Sequence, residues 1–157
     1  MQGKPSGNFH RGQILVRSFA VAIPDLSDVA VASDSGGSWQ PAGPGGTVVG
    51  IRPSPAHLTG PDGVAFVYFE TYGLGPGARY TTHVRLEPLD GDGDPFDLSF
   101  PGEAPMEPGP RVGRVLRLDL SDSEPGTYRM SLSVEDDSRG ERTLPFDTEI
   151  VVRNQRN

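Results

Sequence analysis

Three aspartates alternate with glycines in Asp90-Gly91-Asp92-Gly93-Asp94. Carboxylates on a glycine-rich loop can supply several of the roughly six to eight oxygens that Ca²⁺ takes. The EF-hand register does not fit. Counted from Asp90, the twelfth position is Pro101. Counted from Asp92 it is Glu103, but Phe96 and Asp97 then fall at the fifth and sixth positions, where the sixth should be glycine. Two readings stay open: a solvated acidic loop whose carboxylates repel one another, or an irregular Ca²⁺ site built from Asp90, Asp92 and Asp94. No other cofactor is expected. His10, His57 and His83 show neither His-x-His nor His-x-x-x-His spacing, so no histidine metal site is expected.

Glu70 interrupts an apolar run between Tyr68 and Tyr72. Half-burial would raise its pKa, and the competing reading is an ion pair with Arg79 or Arg85. Trp39 stands in a Gly/Pro-rich stretch. It either stacks on a sugar or a protein partner or folds back over the core. Asp34-Ser35-Gly36-Gly37 spells part of a serine-protease signature. That chemistry needs a histidine and an aspartate upstream within a two-barrel fold, and only His10 precedes the motif. A surface loop is the expected reading. There is no Gly-x-Ser-x-Gly elbow and no P-loop, and no catalytic residue is expected.

The elements that would position these groups are strands. Alternation is clearest over residues 128–136, where Tyr128, Met130, Leu132 and Val134 share one face and Arg129, Ser131, Ser133 and Glu135 the other. Residues 80–86 repeat the pattern. So do residues 144–152, with Leu144, Phe146, Thr148, Ile150 and Val152 inward. Leu116, Leu118 and Leu120 point inward from residues 111–120. Residues 64–72 are apolar on both faces and predict a central strand, with Phe66 and Tyr68 counted as structural. Residues 13–23, 28–32 and a short 47–51 add further strands, and 96–100 a short edge strand. Residues 73–78 and 137–142 read as hairpin loops, and 35–46, 53–63 and 89–110 as longer Gly/Pro-rich ones. No window shows helical period. The pattern predicts an all-β fold, an antiparallel immunoglobulin-like or fibronectin type III-like β-sandwich of seven to nine strands. Its core rests on Tyr128, Leu118 and Leu132. Tyr128 follows Pro125-Gly126 and opens a strand, the setting of a tyrosine corner.

Bulk properties narrow the function. The 157 residues suit one domain, taken as residues 13–153 between a flexible arm (1–12) and a C-terminal tail (154–157). With 14 basic and 21 acidic residues the net charge is −7, which argues against a nucleic-acid partner. Residues 86–110 hold many of the acids and no Lys or Arg. The absence of cysteine excludes disulfides, thiolate zinc sites and a cysteine nucleophile. No apolar run approaches the ~20 residues of a membrane helix, so no membrane insertion is expected. Met1 to Asn8 shows no apolar stretch of the signal-peptide kind.

Several stretches together resemble one family: LSDVAVA at 26–32, IRPSP at 51–55, VYFETYGL at 67–74, Arg79-Tyr80, and residues 118–134 with PGTYRMSLSV. In order and spacing they are similar to the C-terminal immunoglobulin-like β-domain of bacterial GWxTD-domain-containing proteins, from about Leu15 to Val152. The naming Gly-Trp-x-Thr-Asp motif is absent, and Trp39 lies in GSWQP. The resemblance implies an exported, extracytoplasmic setting in bacteria and a non-catalytic accessory role. The expected function is a binding module that recognises a protein partner through loops or a sheet edge. Two alternatives remain. One is a self-assembling structural subunit that uses its N-terminal arm as an added strand. The other is a carbohydrate- or calcium-dependent module using Trp39, Tyr72, Tyr80 or the 90–94 loop.

Overall fold

The computed structural model describes residues 24–41, 48–107 and 111–153. The expected arm at 1–12, the expected strand at 13–23 and the tail at 154–157 lie outside the described residues. Nine strands follow in chain order: β1 (Asp25–Leu26), β2 (Ala30–Ala32), β3 (Val64–Tyr72), β4 (Arg79–Pro88), β5 (Phe96–Glu103), β6 (Arg111–Asp119), β7 (Gly126–Asp136), β8 (Glu141–Arg142) and β9 (Phe146–Val152). There is no helix among the described residues.

The strands form two antiparallel sheets. In the first, β3 is central, with β1 and β2 in succession along one side and β6 along the other. In the second the order is β5-β4-β7, with β8 and β9 sharing the far side of β7. β1 with β2, and β8 with β9, each act as one interrupted strand. The sheets pack face to face as a β-sandwich, and one apolar cluster joins them. Val31, Val67, Phe69 and Leu118 of the first sheet enclose it with Val84, Met130, Leu132 and Ile150 of the second. Period-two alternation is what delivers these residues to one face, and their burial supplies most of the folding free energy.

Sequence patterning placed β3, β4, β6 and β7 correctly, and β5 is a longer edge strand than the 96–100 expected. Four expectations need correction. Leu144 is 77% exposed rather than core, because Pro145 breaks the ladder and β9 starts only at Phe146. The strand expected at 47–51 reduces to a single bridge between Val49 and Trp39. The one expected at 28–32 shortens to β2, and β1 lies ahead of it where no strand was expected. Phe66 is only half-buried and belongs to a second, outer cluster with Tyr68, Ala32 and Ile51. Even-numbered residues of β3 point away from the main core.

Tyr128 is buried, and its hydroxyl donates to the Glu124 carbonyl at 2.8 Å, the bond expected of a tyrosine corner. Across the side of the sandwich, Arg114 of β6 reaches β5. Its guanidinium donates to the carbonyls of Phe100 (3.3 Å) and Pro101 (2.7 Å) and lies 5.5 Å from the Tyr80 ring centroid. Gly102 makes this possible, since a Cβ there would stand 2.5 Å from both the guanidinium and the ring.

Leu132→Ala is expected to cost about 2–5 kcal/mol through lost burial and a cavity. Tyr128→Phe should cost about 0.5–1.5 kcal/mol through its hydrogen bond. Urea unfolding followed by tryptophan fluorescence measures both. A Leu132→Ala midpoint equal to the parent would refute the core assignment.

Candidate functional site

Two places on the described surface carry polar groups in concert, and a third is a cleft.

The first is the outer face of β3. Here Glu70 is buried, and both its oxygens are held. Tyr68 Oη donates to Oε1 at 2.8 Å and Tyr72 Oη to Oε2 at 2.7 Å. Arg111 Nη1 lies 3.3 Å from Oε2. The Glu70 amide donates to Ser27 Oγ at 2.9 Å. The ion-pair partner is therefore Arg111, not the expected Arg79 or Arg85, because Arg111 sits opposite Tyr72 in the β3–β6 register. Gly113, directly opposite Glu70, clears the space: a Cβ there would press on the Tyr68 hydroxyl at 3.0 Å. Burial pushes the Tyr68 phenol well above its ordinary value, and the hydrogen bond to the Glu70 carboxylate adds to this. Tyr72 is raised for the same reasons in the same order. Trp39 covers this face. It meets Tyr68 edge-on, with centroids 5.4 Å apart and planes at 77°. Backbone bonds to Val49 hold it there. Trp39 is partly buried against the cluster of Ala32, Ile51 and Tyr68. The group is a packed cluster in which both Glu70 oxygens accept hydrogen bonds. Tyr80, a candidate for stacking on sugar, is also buried, under Arg114.

The second place is the outer face of the second sheet. Ser99 Oγ, His83 and Glu135 line up across β5, β4 and β7, with Oγ 3.4 Å from Nδ1 and Nε2 3.4 Å from Glu135 Oε2. The order is that of a serine-histidine-acid relay, and sequence spacing gave no hint of it, since the three residues meet only through strand register. Both distances are long for a nucleophile and its base. His83 borders a polar hollow of about 370 Å³ with Arg85, Asp97, Ser131, Ser133 and Arg142, and the backbone of β4 beneath it is taken up in pairing with β5 and β7. Neighbouring Arg85–Asp97 and Arg129–Glu87 contacts, at 2.9 and 3.3 Å, are ordinary exposed ion pairs.

The cleft lies at one end of the sandwich, where the β4–β5 and β6–β7 loops meet, and has a volume of about 380 Å³. Phe96 and Tyr128, edge-on with centroids 6.3 Å apart, line it together with Pro88 and Pro125. Its other lining residues include Asp90, Asp94, Asp119, Asp122 and Glu124, and no Lys or Arg. Hydrogen bonds from Ser121 and Arg117 hold the Asp119 carboxyl below the usual range.

The sequence-selected residues are thus dispersed. Asp90 and Asp94 are exposed at the cleft, and Asp92 is exposed beside it without lining it. Among the described residues no group of three or more His, Cys, Asp or Glu is arranged as a metal-binding set. Asp34 closes a local turn on the Gly36 amide at 2.6 Å in an exposed loop, as expected of the DSGG stretch. His57 meets the Glu149 carbonyl and the Thr148 hydroxyl through Nδ1. No helix among the described residues is long and apolar enough to cross a membrane.

No family model matches the chain, and neither does any curated protein. A solved structure titled "X-ray structure of Northeast Structural Genomics Consortium target SoR45" is 11% identical to it, covers 83% of this chain and 82% of its own, and gives a TM-score of 0.33. The class the geometry defines is a two-sheet antiparallel β-sandwich with an acidic, aromatic-lined cleft at one end.

Because Tyr68 and Tyr128 hold their protons more tightly folded than unfolded, their contribution is complete below the unfolded value of 10.0. It is lost as pH rises through the folded values. Stability should therefore fall above about pH 10, by about 1.4 kcal/mol per pH unit for each such tyrosine. Urea midpoints between pH 8 and 11.5 test this. A flat profile contradicts it. Glu70→Ala should cost about 1–3 kcal/mol at neutral pH by taking the acceptor from the Tyr68 and Tyr72 hydroxyls, and an unchanged urea midpoint would contradict this.

Proposed function

We propose that this chain is a non-catalytic binding module on an immunoglobulin-like frame of fibronectin type III-like strand order, which grips a protein partner through the loops at the cleft end. Two features support the frame. The sheets divide three and four once the interrupted strands are merged, with β1/β2-β3-β6 facing β5-β4-β7-β8/β9. The Tyr128–Glu124 bond lies at the β6–β7 corner, where such sandwiches carry their tyrosine corner.

The observation that carries the binding role is the cleft. Its aromatic and proline lining can take an apolar or planar side chain, and its carboxylates favour a cationic one. An arginine- or lysine-bearing segment of a partner meets both demands. Loops at the end of a sandwich vary without disturbing the core, so recognition is readily grafted there. The resemblance to the β-domain of GWxTD-domain-containing proteins supports an exported bacterial setting and an accessory role. A calcium-dependent version rests on the same cleft, where Asp90 and Asp94 face Asp119, Asp122 and Glu124. A sugar ligand has less support, because Trp39, Tyr72 and Tyr80 are engaged inside the fold.

Affinity capture with wild type and with Asp122→Lys/Glu124→Lys, in EDTA and in millimolar Ca²⁺, tests the reading. Both positions are exposed, so the variant should melt like the parent. A partner held by wild type in EDTA and lost by the variant is the expected result. Equal capture by both proteins would refute the cleft, and capture only with Ca²⁺ would replace the reading with the calcium-dependent one.

A further inference from the structure

The chain contains the Asp-Gly bonds Asp62-Gly63, Asp90-Gly91 and Asp92-Gly93. A glycine nitrogen has no Cβ beside it to shield it. It can therefore attack the carboxyl carbon of the aspartate before it and close a five-membered ring. The reaction requires that this nitrogen and this carboxyl be free to meet, and the fold treats the bonds differently.

At Asp62-Gly63 both groups are engaged. Gly63 N donates to Gly60 O at 3.1 Å, and Asp62 Oδ1 accepts from Val64 N at 3.2 Å. Gly63 also packs on Ser121, whose Cα would stand 2.7 Å from a Cβ placed there. The β4–β5 loop is the opposite case. Residues 90–94 are all exposed. Among the described residues, no hydrogen bond or ion pair holds the amides of Gly91 and Gly93 or the carboxylates of Asp90 and Asp92. The space beside Gly91 is open, whereas a Cβ on Gly93 would stand 3.0 Å from Pro88 Cγ. Asp94 precedes Pro95, whose nitrogen has no hydrogen to give up, so it cannot close the ring.

We propose that Asp90-Gly91, and more slowly Asp92-Gly93, are sites of covalent modification at which aspartate becomes isoaspartate through a succinimide. Gly91 N bonds to Cγ of Asp90, and the amide proton and the hydroxyl of the protonated carboxyl leave as water. Water then returns to either carbonyl of the ring. Attack at Cγ breaks the new bond and restores aspartate. Attack at the main-chain carbon breaks the original peptide bond, so the chain now runs through Cβ and Cγ and the α-carboxylate is free. One water leaves and one enters, and no oxidant or co-reactant is needed. The product keeps its mass and charge, but it lengthens the main chain at a residue that lines the cleft. The inference does not depend on what the cleft binds.

Incubating the full chain in heavy-oxygen water at neutral pH reads the reaction, because each ring opening fixes one water oxygen. Peptide mass spectrometry with electron-transfer fragmentation locates the label and the isoaspartate. Both are expected first at residue 90 and then at 92. Asp62 should lag Asp90 at least ~10-fold, since its two hydrogen bonds must open first, and Asp94 should stay unlabelled. Guanidinium chloride should bring Asp62 up to the rate of the other two. Asp90→Glu keeps the carboxylate but needs a six-membered ring. It should abolish labelling at 90 and leave that at 92 and the urea midpoint unchanged. Equal labelling of Asp62 and Asp90 in the folded chain would overturn the proposal. So would an absence of label at 90 and 92 once all the Asp-Gly bonds have reacted in guanidinium chloride, or undiminished labelling at 90 in the Asp90→Glu variant.

Discussion

The fold depends on one constraint: β3 must be buried on both faces. Ala65, Val67 and Phe69 face the other sheet, while Phe66, Tyr68, Glu70 and Tyr72 face outward. A sheet with only one partner layer would leave those outward aromatics and a carboxylate in water. Chain between β2 and β3 returns over this face instead, bringing Ile51, Val49 and Trp39 against Tyr68. Glu70 is tolerated because each oxygen is bound and Arg111 balances its charge, which is the condition under which a buried carboxylate is stable. The same register that places Arg111 there puts Gly113 opposite Glu70, where a larger residue would displace the Tyr68 ring.

Among the described residues the second sheet has no such outer layer. Its exposed face is a ladder of serines and alternating charges, which are satisfied in water and contribute little to stability. The asymmetry has a consequence for where function can sit. Among the described residues the outer face of the first sheet is covered, and that of the second carries a polar hollow of about 370 Å³ bordered by His83, Arg85, Asp97 and Arg142. The hollow lined by aromatic side chains forms where the β4–β5 and β6–β7 loops converge around Tyr128. This residue serves both layers of the argument. Its ring fills the core edge and lines the cleft, and its hydroxyl fixes the loop at Glu124.

Much of the strand layout was legible because period two reports burial on one face directly. Residues 64–72 stood out as central because both faces were apolar. Other features were hidden for physical reasons. Glu70 could be seen to need a cation, but choosing Arg111 over Arg79 or Arg85 required the β3–β6 register, which no local pattern encodes. Leu144 matches the alternation of its strand, yet Pro145 takes it out of the ladder. The cleft joins Asp90 and Asp94 to Asp119, Asp122 and Glu124 across about 30 residues of chain, so composition flagged only one half of it. The Ser99–His83–Glu135 row was likewise invisible, being a product of three strands in register.

Asp119 ties the β3–β6 pair to the cleft. It ends β6 and lines the cleft, and hydrogen bonds from Ser121 and Arg117 favour its ionised form. Part of the negative charge in the cleft is therefore carried by the strand that packs on β3, and the register that fixes its place is the one that brings Arg111 to Glu70. What the loops can offer a cationic group thus depends on the same strand pairing that makes the buried carboxylate tolerable.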